Sequence, residues 1–481
     1  MSSSNWEREE VRGWGGASRG EAMVARPQDL AQLQALFAEA ARTRTPMALR
    51  GAGCSYGDAA MLTAGHVVDL TRMNRILDFD AATGIVRAEP GVTIRDLWRH
   101  TIGAGYWPVV VPGTMAVTLG GAAAMNIHGK NNFAVGSFGE HVRALRLLLP
   151  DGGLVRCTRT EQPELFHAAI GGFGMLGAFV ELELQLKQVH SGRLRVQALL
   201  ARDLDANLQI LEEHRQDADY LVSWLDGYAR GGALGRGLVH RADHFAPGED
   251  PVGERMLSPA QQDVPAYVLG CVPKGWLWPA LWLLVKGGGL RGLNAAKFAA
   301  ARREVRQPPY PQTHGAFHFL LDYVPGWKRA FWPGGLIQFQ PFVPAAGASR
   351  VLRQLLASCQ HEALVPYLLV LKRHREDPFL MTHAIDGFSL AMEFAVTAAN
   401  RTRLWEHCAR MAEVVLDAGG RFYYAKDGGL AASSFTRIHG EAAVQKFREL
   451  KLRHDPQNLL QTDLSRRLGV LGGLVPAPPR A

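Results

Sequence analysis

The sequence is poor in cysteine, and its cysteines lie far apart. Five cysteines occur among 481 residues, and no two of them form a C-x-x-C pair. Structural zinc sites and disulfide frameworks both need cysteines at short, regular spacings. The sequence therefore predicts no metal site, no disulfide framework and reduced thiols.

Long apolar runs are also missing. The N-terminal stretch MSSSNWEREEVRGW has no apolar core of the kind that a signal peptide requires. No uninterrupted apolar stretch reaches the length of a membrane-spanning helix. We therefore expect a cytoplasmic protein, with peripheral attachment to the inner membrane as the one membrane state that the sequence leaves open.

Acidic residues are outnumbered, but the excess of positive charge is not concentrated. Lys and Arg number 53 against 45 Asp and Glu, which gives a formal net charge of +8. The basic residues are scattered and no RNA-binding or zinc-finger motif accompanies them, so nucleic acid is not expected as a partner. An anionic membrane surface or a phosphorylated substrate fits this charge better.

A glycine-rich stretch, RGAGCSYGDAA at residues 50–60, predicts a loop that holds an anion. Glycine lets successive backbone N–H groups approach a pyrophosphate without an intervening Cβ. The stretch is not the dinucleotide fingerprint G-x-G-x-x-G, because Tyr56 stands where the third glycine is due. A Rossmann site is therefore not predicted here.

A complete G-x-G-x-x-G match does occur at Gly172, Gly174 and Gly177. The residues that follow it, AFVELELQL, alternate apolar and acidic side chains and predict a strand. A loop that enters a strand offers no helix N-terminus to a phosphate. This match is therefore also not interpreted as a Rossmann site.

The segment 264–289 combines aromatic, apolar and basic residues. It contains three tryptophans (Trp276, Trp278 and Trp282) among leucines, with Lys274, Lys286 and Arg291 at its edges. Prolines and glycines interrupt any spanning helix. An amphipathic segment on a membrane surface and a set of core-lining tryptophans have this same composition, and the sequence does not decide between them.

Several motifs together resemble one enzyme family. They are RGAGCSYGD at 50, AEPGV at 88, VPGT at 111, TLGGAAAMNIHGKNNFAVGSFGEHV at 118, GRFYYAKD at 420 and KLRHDPQNLLQTDLSRRLGVL at 451. The chain resembles FAD-linked oxidases of the vanillyl-alcohol oxidase class, which have a PCMH-type flavin domain. Within that class it is most similar to the oxidase subunits of polyprenyl-phosphate sugar 2′-epimerases.

The resemblance implies an α+β fold in three segments. Residues 1–190 would form the PCMH-type FAD-binding domain, built from two α/β subdomains. Residues 191–420 would form a substrate-binding domain with an antiparallel sheet flanked by helices. Residues 421–481 would return to the FAD-binding domain.

The resemblance also implies a site for FAD and a substrate. The cofactor residues would be Arg50, Gly51, Gly53, Cys54, Ser55, Tyr56, Gly57, Pro112, Gly113, Thr114, Gly120, Gly121, Asn126, His128, Gly129, Gly177 and Lys426. The substrate residues would be Lys130, Gln338, Gln340 and Lys372. Related sugar oxidases have a flavin-linking histidine where this chain has Cys54, so we expect noncovalent FAD.

Three residues are candidates for catalysis. Lys426 matches the family lysine that stabilises the reduced flavin, and a solvated surface lysine is the alternative interpretation. His128 and Tyr56 would lie near the flavin and the substrate. The alternative for His128 is a structural histidine in a tight turn. The sequence does not rank the three as proton acceptors.

The implied activity is that of an FAD-dependent oxidoreductase acting on CH–OH groups. It would take hydride from a secondary alcohol of a sugar or polyprenyl-phosphate sugar and leave a keto-sugar. This is the oxidase half of an epimerisation, with a short-chain reductase as partner. The alternatives are an aldonolactone or alditol oxidase, a flavin-dependent alkene reductase, and a basic membrane-surface binding protein with a decayed flavin site.

Overall fold

The computed structural model describes residues 6–264, 267–268, 272–286 and 288–472. It has an α+β fold, as the sequence predicts, with mixed and antiparallel sheets and helices packed on them.

The first unit is a small sheet with one covering helix. Its elements are β1 (Glu7–Arg12), β2 (Arg19–Ala25), α1 (Leu30–Thr43), β3 (Met47–Arg50) and β4 (His66–Asp69). The strand order is β1-β2-β4-β3, and β4 runs parallel to both of its neighbours. The Asp29 side chain caps α1 by accepting from the Gln32 N–H, and Leu33 and Phe37 on its inner face are buried. From this helix the chain runs through β3 into the glycine-rich loop.

The second unit is an antiparallel sheet in the order β5-β6-β10-β8-β9. Its elements are β5 (Ile76–Asp80), β6 (Ile85–Ala88), α2 (Ile94–Thr101), β7 (Tyr106–Trp107), α3 (Leu119–Ala124), α4 (Asn132–Val135), β8 (Val142–Leu148), β9 (Leu154–Thr158), α5 (Pro163–Ala169), β10 (Ala178–Gln185) and β11 (Lys187–Gln188). Gly177 directly precedes β10. The prediction that the complete glycine fingerprint leads into a strand is thus confirmed.

The third unit is a large antiparallel sheet in the order β17-β12-β14-β13-β20-β21-β19-β22, with β18 also paired to β21. Its elements are β12 (Arg193–Ala201), α6 (Leu204–Glu213), β13 (Tyr220–Leu225), β14 (Gly237–His244), α7 (Pro259–Gln262), β15 (Tyr267–Val268), β16 (Val272–Pro273), α8 (Leu277–Lys286), α9 (Leu290–Glu304), β17 (Tyr310–Thr313), α10 (His314–His318), β18 (Leu336–Phe339), β19 (Pro341–Pro344), α11 (Ala348–His361), β20 (Leu368–His374), β21 (Gly387–Ala395), α12 (Arg401–Asp417) and β22 (Arg421–Phe422).

Strand register brings distant residues together on one face of this sheet. Lys372 pairs with Ser389, and Gln338 pairs with Glu393, across neighbouring strands. Because side chains alternate along a strand, Ser389 and Glu393 of β21 point to the same face. This face forms one wall of the cavity described below.

The C-terminal helices α13 (Ala432–His439), α14 (Glu441–His454) and α15 (Asp463–Arg467) follow this sheet. The chain after α14 runs beside β3: Met47 N–H donates to the Leu459 carbonyl at 2.7 Å, and its own carbonyl accepts from Gln461 at 3.0 Å. The Arg467 guanidinium donates to Asp58 and to Asp427, each at 2.8 Å. These contacts join the end of the chain to the glycine-rich loop. The division into domains at residues 190 and 420 stays a prediction.

The tryptophan segment has a packed face and an exposed face. Leu281 and Val285 of α8 pack against the cluster that contains Phe331. Trp276 is 75% exposed and Leu283 is 64% exposed. None of the three tryptophans is buried, so they do not line the core, and the interpretation as a membrane-surface segment stays a prediction. Residues 265, 266, 269–271 and 287 of the segment lie outside the described residues.

Among the described residues, every helix is too short or too polar to cross a bilayer.

Candidate active site

A cavity of about 600 Å³ runs between the first two units and the large sheet. One wall is the glycine-rich loop, a second is formed by residues 111–130, and the third is the sheet face that carries Gln338 and Lys372. Its volume lies within the range of about 300–1,000 Å³ that is typical of ligand sites.

At the loop end, backbone amides face the cavity without protein partners. The N–H groups of Ala52, Gly53, Cys54 and Ser55 donate to no acceptor in the part of the chain that the structure describes. Gly53 has a φ of +65°, which favours glycine. A Cβ on Gly51 would lie 2.1 Å from Thr118 Oγ1, so the loop and the opposite wall approach closely only because residue 51 is glycine. These donors and this close approach fit the pyrophosphate of a dinucleotide cofactor.

Most of the predicted site residues line this cavity. These are Arg50, Gly51, Gly53, Cys54, Ser55, Pro112, Gly113, Thr114, Gly120, Gly121, His128, Lys130, Gly177, Gln338, Gln340, Lys372 and Lys426. Their roles in binding remain predictions.

Four predicted cofactor residues lie outside the cavity lining: Tyr56, Gly57, Asn126 and Gly129. Asn126 instead holds the wall together, because its amide donates to Asp377 at 3.0 Å and accepts from the Gly139 N–H at 2.9 Å. A Cβ on Gly57 would meet the Asp427 carbonyl at 1.8 Å, so Gly57 permits backbone packing. The structure therefore gives these residues supporting positions.

Lys426 lies in the cavity wall above the ring of Tyr56. Its Nζ is 4.0 Å from the centre of that ring. Burial lowers the pKa of Lys426 to about 8, although Glu393 and Cys54 act to raise it. The alternative of a solvated surface lysine does not describe this position, since Lys426 lines the cavity.

Glu393 was not predicted from the sequence. It lies at the centre of the part of the cavity that carries Lys426. It is 1% exposed and accepts hydrogen bonds from the Tyr56 hydroxyl at 2.7 Å, from the Gln338 amide at 2.5 Å and from the Tyr367 hydroxyl. Burial raises the pKa of Glu393, and its hydrogen-bond donors and Lys426 oppose that rise. In the strand SLAMEF a period of two places Glu393 on the same face as Ala391, and both residues line the cavity.

His128 lies in a chain of hydrogen bonds on the same face. The Gln340 amide nitrogen contacts His128 Nε2 at 3.0 Å and donates to Ser389 Oγ at 3.3 Å, and Ser389 Oγ lies 2.7 Å from His374 Nε2. Burial, followed by the nearby Lys372, holds the pKa of His128 well below its usual value. When Gln340 donates to Nε2, the neutral ring carries its proton on Nδ1. That Nδ1 has no hydrogen-bond partner among the described residues.

The thiol of Cys54 lies in the wall at the glycine-rich loop. Burial raises the pKa of Cys54 to about 11, and the nearby Lys426 and Lys328 only partly counter this effect. A thiolate is the form that would attack a flavin ring, so the environment disfavours a covalent link. Noncovalent binding stays a prediction.

Comparison with known proteins agrees with this geometry. A family model described as an FAD binding domain matches residues 22–158, which include the glycine-rich loop and its opposite wall. The decaprenylphosphoryl-beta-D-ribose oxidase of Mycolicibacterium smegmatis is 27% identical over 88% of this chain and 89% of its own length.

Two further relatives extend the comparison. An uncharacterized protein in the mprA 5′ region of Streptomyces coelicolor is 30% identical over 79% of this chain and 100% of its own length. An uncharacterized FAD-linked oxidoreductase of Mycobacterium tuberculosis is 29% identical over 34% of this chain and 37% of its own length. The loop amides, which have no acceptor among the described residues, and Lys426 line one cavity that fits FAD, and the chain belongs to the family of FAD-linked oxidoreductases.

Proposed function

We propose that the protein oxidises a secondary alcohol of a polyprenyl-phosphate sugar and releases the keto-sugar. The observation that carries this proposal is the continuity of the cavity, which extends from the amides of residues 52–55 past Lys426 to Gln340 and Lys372. A cofactor and a hydroxylated substrate would thus share one space. The relative from Mycolicibacterium smegmatis, named as an oxidase of decaprenylphosphoryl-ribose, supports this substrate class.

Lys426 would stabilise charge that develops during the reaction. When bound, FAD supplies the acceptor for the hydride that leaves the alcohol carbon. An ammonium fixed in a buried wall stabilises negative charge there more strongly than it would in water. Glu393 keeps this lysine protonated, and the ring of Tyr56 lies beneath the ammonium. We assign Tyr56 to this supporting role, because its hydroxyl proton is engaged with Glu393.

His128 and Gln340 would orient the substrate. The Nδ1–H of a neutral His128 is a donor without a protein partner among the described residues, so it is available to a substrate or cofactor oxygen. Gln340 holds the imidazole in place through Nε2. Both side chains line the cavity on the side of Lys372.

Anaerobic reduction of the flavin by a panel of compounds tests this function. The panel contains polyprenyl-phosphate pentoses, the same sugars without phosphate, and aldonolactones. We expect the prenyl-phosphate sugars to bleach the visible flavin absorbance fastest, with the keto-sugar as product. Faster bleaching by aldonolactones would replace the proposal by the aldonolactone oxidase alternative. In the proposed scheme a short-chain reductase completes the epimerisation.

We further propose that the exposed face of α8 contacts the membrane where a lipid-linked substrate resides. Leu283 is exposed on this face, Trp276 is exposed directly before the helix, and Trp282 is 40% exposed. Leu320 lines the cavity and is 56% exposed, so apolar surface also reaches the cavity mouth. Exposed aromatic and apolar residues of this kind suit a membrane interface, whereas Lys274 is buried and takes no part in this surface.

Cosedimentation with anionic liposomes tests the membrane contact. A Trp276→Ala/Trp282→Ala double variant should bind about tenfold more weakly, because two large apolar side chains no longer enter the interface. A Leu77→Ala/Leu154→Ala variant is the matched control, since both leucines are exposed but lie on β5 and β9. Equal binding of the tryptophan variant and the wild type would contradict the proposal.

A further inference from the structure

A group of basic side chains lines the cavity beyond Lys426. Lys372 comes from β20, Lys130 from the loop between α3 and α4, and His318 from the end of α10. Among the described residues that line the cavity, Glu393 is the only carboxylate. No acidic side chain of the lining therefore faces this group except the one that serves Lys426.

Each basic group of this set lies close enough to another to affect its pKa. Lys426 lowers the pKa of Lys372, Lys372 lowers that of Lys130, and Lys130 lowers that of His318, in each case in addition to the larger effect of burial. His314 and His244 add to the effect on His318. The group is thus a set of basic neighbours.

His318 has polar atoms that the protein does not satisfy. It is 1% exposed, and neither ring nitrogen has a hydrogen-bond partner in the part of the chain that the structure describes. Its ring is held by Tyr220 at 4.7 Å and by Trp107 at 5.9 Å between ring centres. A buried imidazole without hydrogen bonds is costly, and because His318 lines the cavity, its ring nitrogens are available to a ligand there.

The two lysines also have unused donors. Lys130 donates to the Phe317 carbonyl, which leaves two of its three N–H groups free. Lys372 has neither a hydrogen bond nor an ion pair within the described residues. Burial lowers the pKa of Lys130 to about 7 and that of Lys372 to about 7. An anion that enters the group would favour the protonated form of each lysine.

We propose that Lys130, His318 and Lys372 form the subsite that receives the phosphate group of the substrate. This inference rests on the proposed function and specifies which side chains would distinguish a phosphorylated sugar from a free one. The sugar ring would then lie between this subsite and Lys426. Charge-assisted hydrogen bonds from two ammonium groups, together with the N–H of a neutral imidazole, match the oxygens of a phosphate.

The subsite can be tested by calorimetry on the FAD-loaded enzyme, in which the pyrophosphate loop is already filled. The probes are geranyl phosphate, inorganic phosphate and geraniol. Geranyl phosphate should bind to the wild type with uptake of protons near pH 7.5, seen as a heat that depends on the ionisation enthalpy of the buffer. Geraniol should bind more weakly and without proton uptake. Equal affinity for geraniol and geranyl phosphate would overturn the subsite.

Three variants locate the binding. Lys130→Met and His318→Phe should each weaken geranyl phosphate binding by about tenfold to a hundredfold, the range for losing a hydrogen bond to a charged group. Lys372→Met tests the same site at a half-buried position that folding depends on less. Lys446→Met is the control, because Lys446 pairs with Glu164 on the surface. Wild-type affinity in all three cavity variants would exclude the subsite.

The outcomes separate this inference from the proposed function. If no sugar reduces the flavin but geranyl phosphate still binds through Lys130 and His318, the function fails and the subsite stands. If prenyl-phosphate sugars reduce the flavin and Lys130→Met slows phosphorylated and free sugars equally, the function stands and the subsite fails. If inorganic phosphate binds as tightly as geranyl phosphate, the phosphate subsite is supported. The prenyl group then contributes nothing to the affinity of its ligand.

Discussion

The two ends of the cavity are built by different means. The loop end uses backbone amides of four successive residues, 52–55, and glycines that allow close approach. The lysine end uses side chains from separate parts of the chain, Gln338 from β18, Glu393 from β21 and Lys426 after β22, and these meet the loop at Tyr56. A local sequence motif is therefore sufficient to specify the first end, whereas the second exists only when the sheet register is correct.

This difference predicts that binding and chemistry can be separated by mutation. Lys426→Ala should retain FAD, because the loop end is untouched, but should slow flavin reduction on the order of a hundredfold or more. Stopped-flow reduction with a saturating substrate measures the rate. Lys446→Ala serves as the control for loss of a surface lysine. Wild-type reduction by Lys426→Ala would mean that the lysine end takes no part in the reaction.

A substitution in the glycine-rich loop should weaken FAD binding and leave the lysine end unchanged. In Gly51→Ala the new Cβ would meet Thr118 Oγ1, whose hydroxyl also caps α3 through the Gly121 N–H. We expect the affinity for FAD to fall about tenfold, from loss of the cap and displacement of the loop. Fluorescence titration of the apoprotein with FAD measures this. Gly103→Ala is the matched control, since a Cβ there would have open space. Equal FAD affinity in the two variants would contradict the close approach.

Glu393→Gln tests the lysine end by itself, because it removes the carboxylate and leaves Lys426 in place. Glu393 acts to raise the pKa of Lys426, which lies at about 8, so the variant should lower that pKa. The cation is present below the pKa and lost above it. The alkaline limb of the reduction rate should therefore move down by about one pH unit or more.

The control for this variant is Glu89→Gln, which removes another buried glutamate that pairs with Arg75. The midpoint potential of the flavin should fall in Glu393→Gln at pH 8 and change little in the control. An unchanged alkaline limb in Glu393→Gln would show that Lys426 does not depend on this carboxylate.

The smallest effect is expected at Cys54. Acid precipitation should release FAD from the wild type and from Cys54→Ser alike, because burial disfavours the thiolate. The absorbance of the supernatant measures the released flavin. Flavin that stays with the wild-type pellet and leaves it in Cys54→Ser would show a covalent bond.

The sequence predicted the loop end better than the lysine end for a physical reason. The loop RGAGCSYGD carries its information within nine residues, and the strands and helices around it follow local periodicity. Glu393 and Tyr56, by contrast, are hydrogen-bonded across 337 positions of the chain. Such a contact depends on strand order and register, which local periodicity does not specify.

The residues that were predicted but lie outside the cavity have a related explanation. The resemblance assigned Asn126 to FAD, but its amide is engaged with Asp377 and Gly139. A motif shows which residues occur together, and packing decides which of them face the ligand. His318 was not predicted at all, because a histidine after GAF in the sequence gives no sign that its ring lacks partners.

The ion pairs of Arg467 have a consequence for the synthesis of the protein. Arg467 holds Asp58, beside the glycine-rich loop, and Asp427, next to Lys426. During translation the loop leaves the ribosome early, because it precedes this arginine by more than 400 residues. The two ion pairs can therefore form only after α15 has been synthesised, so the loop and the residue next to Lys426 are joined late in the making of the chain.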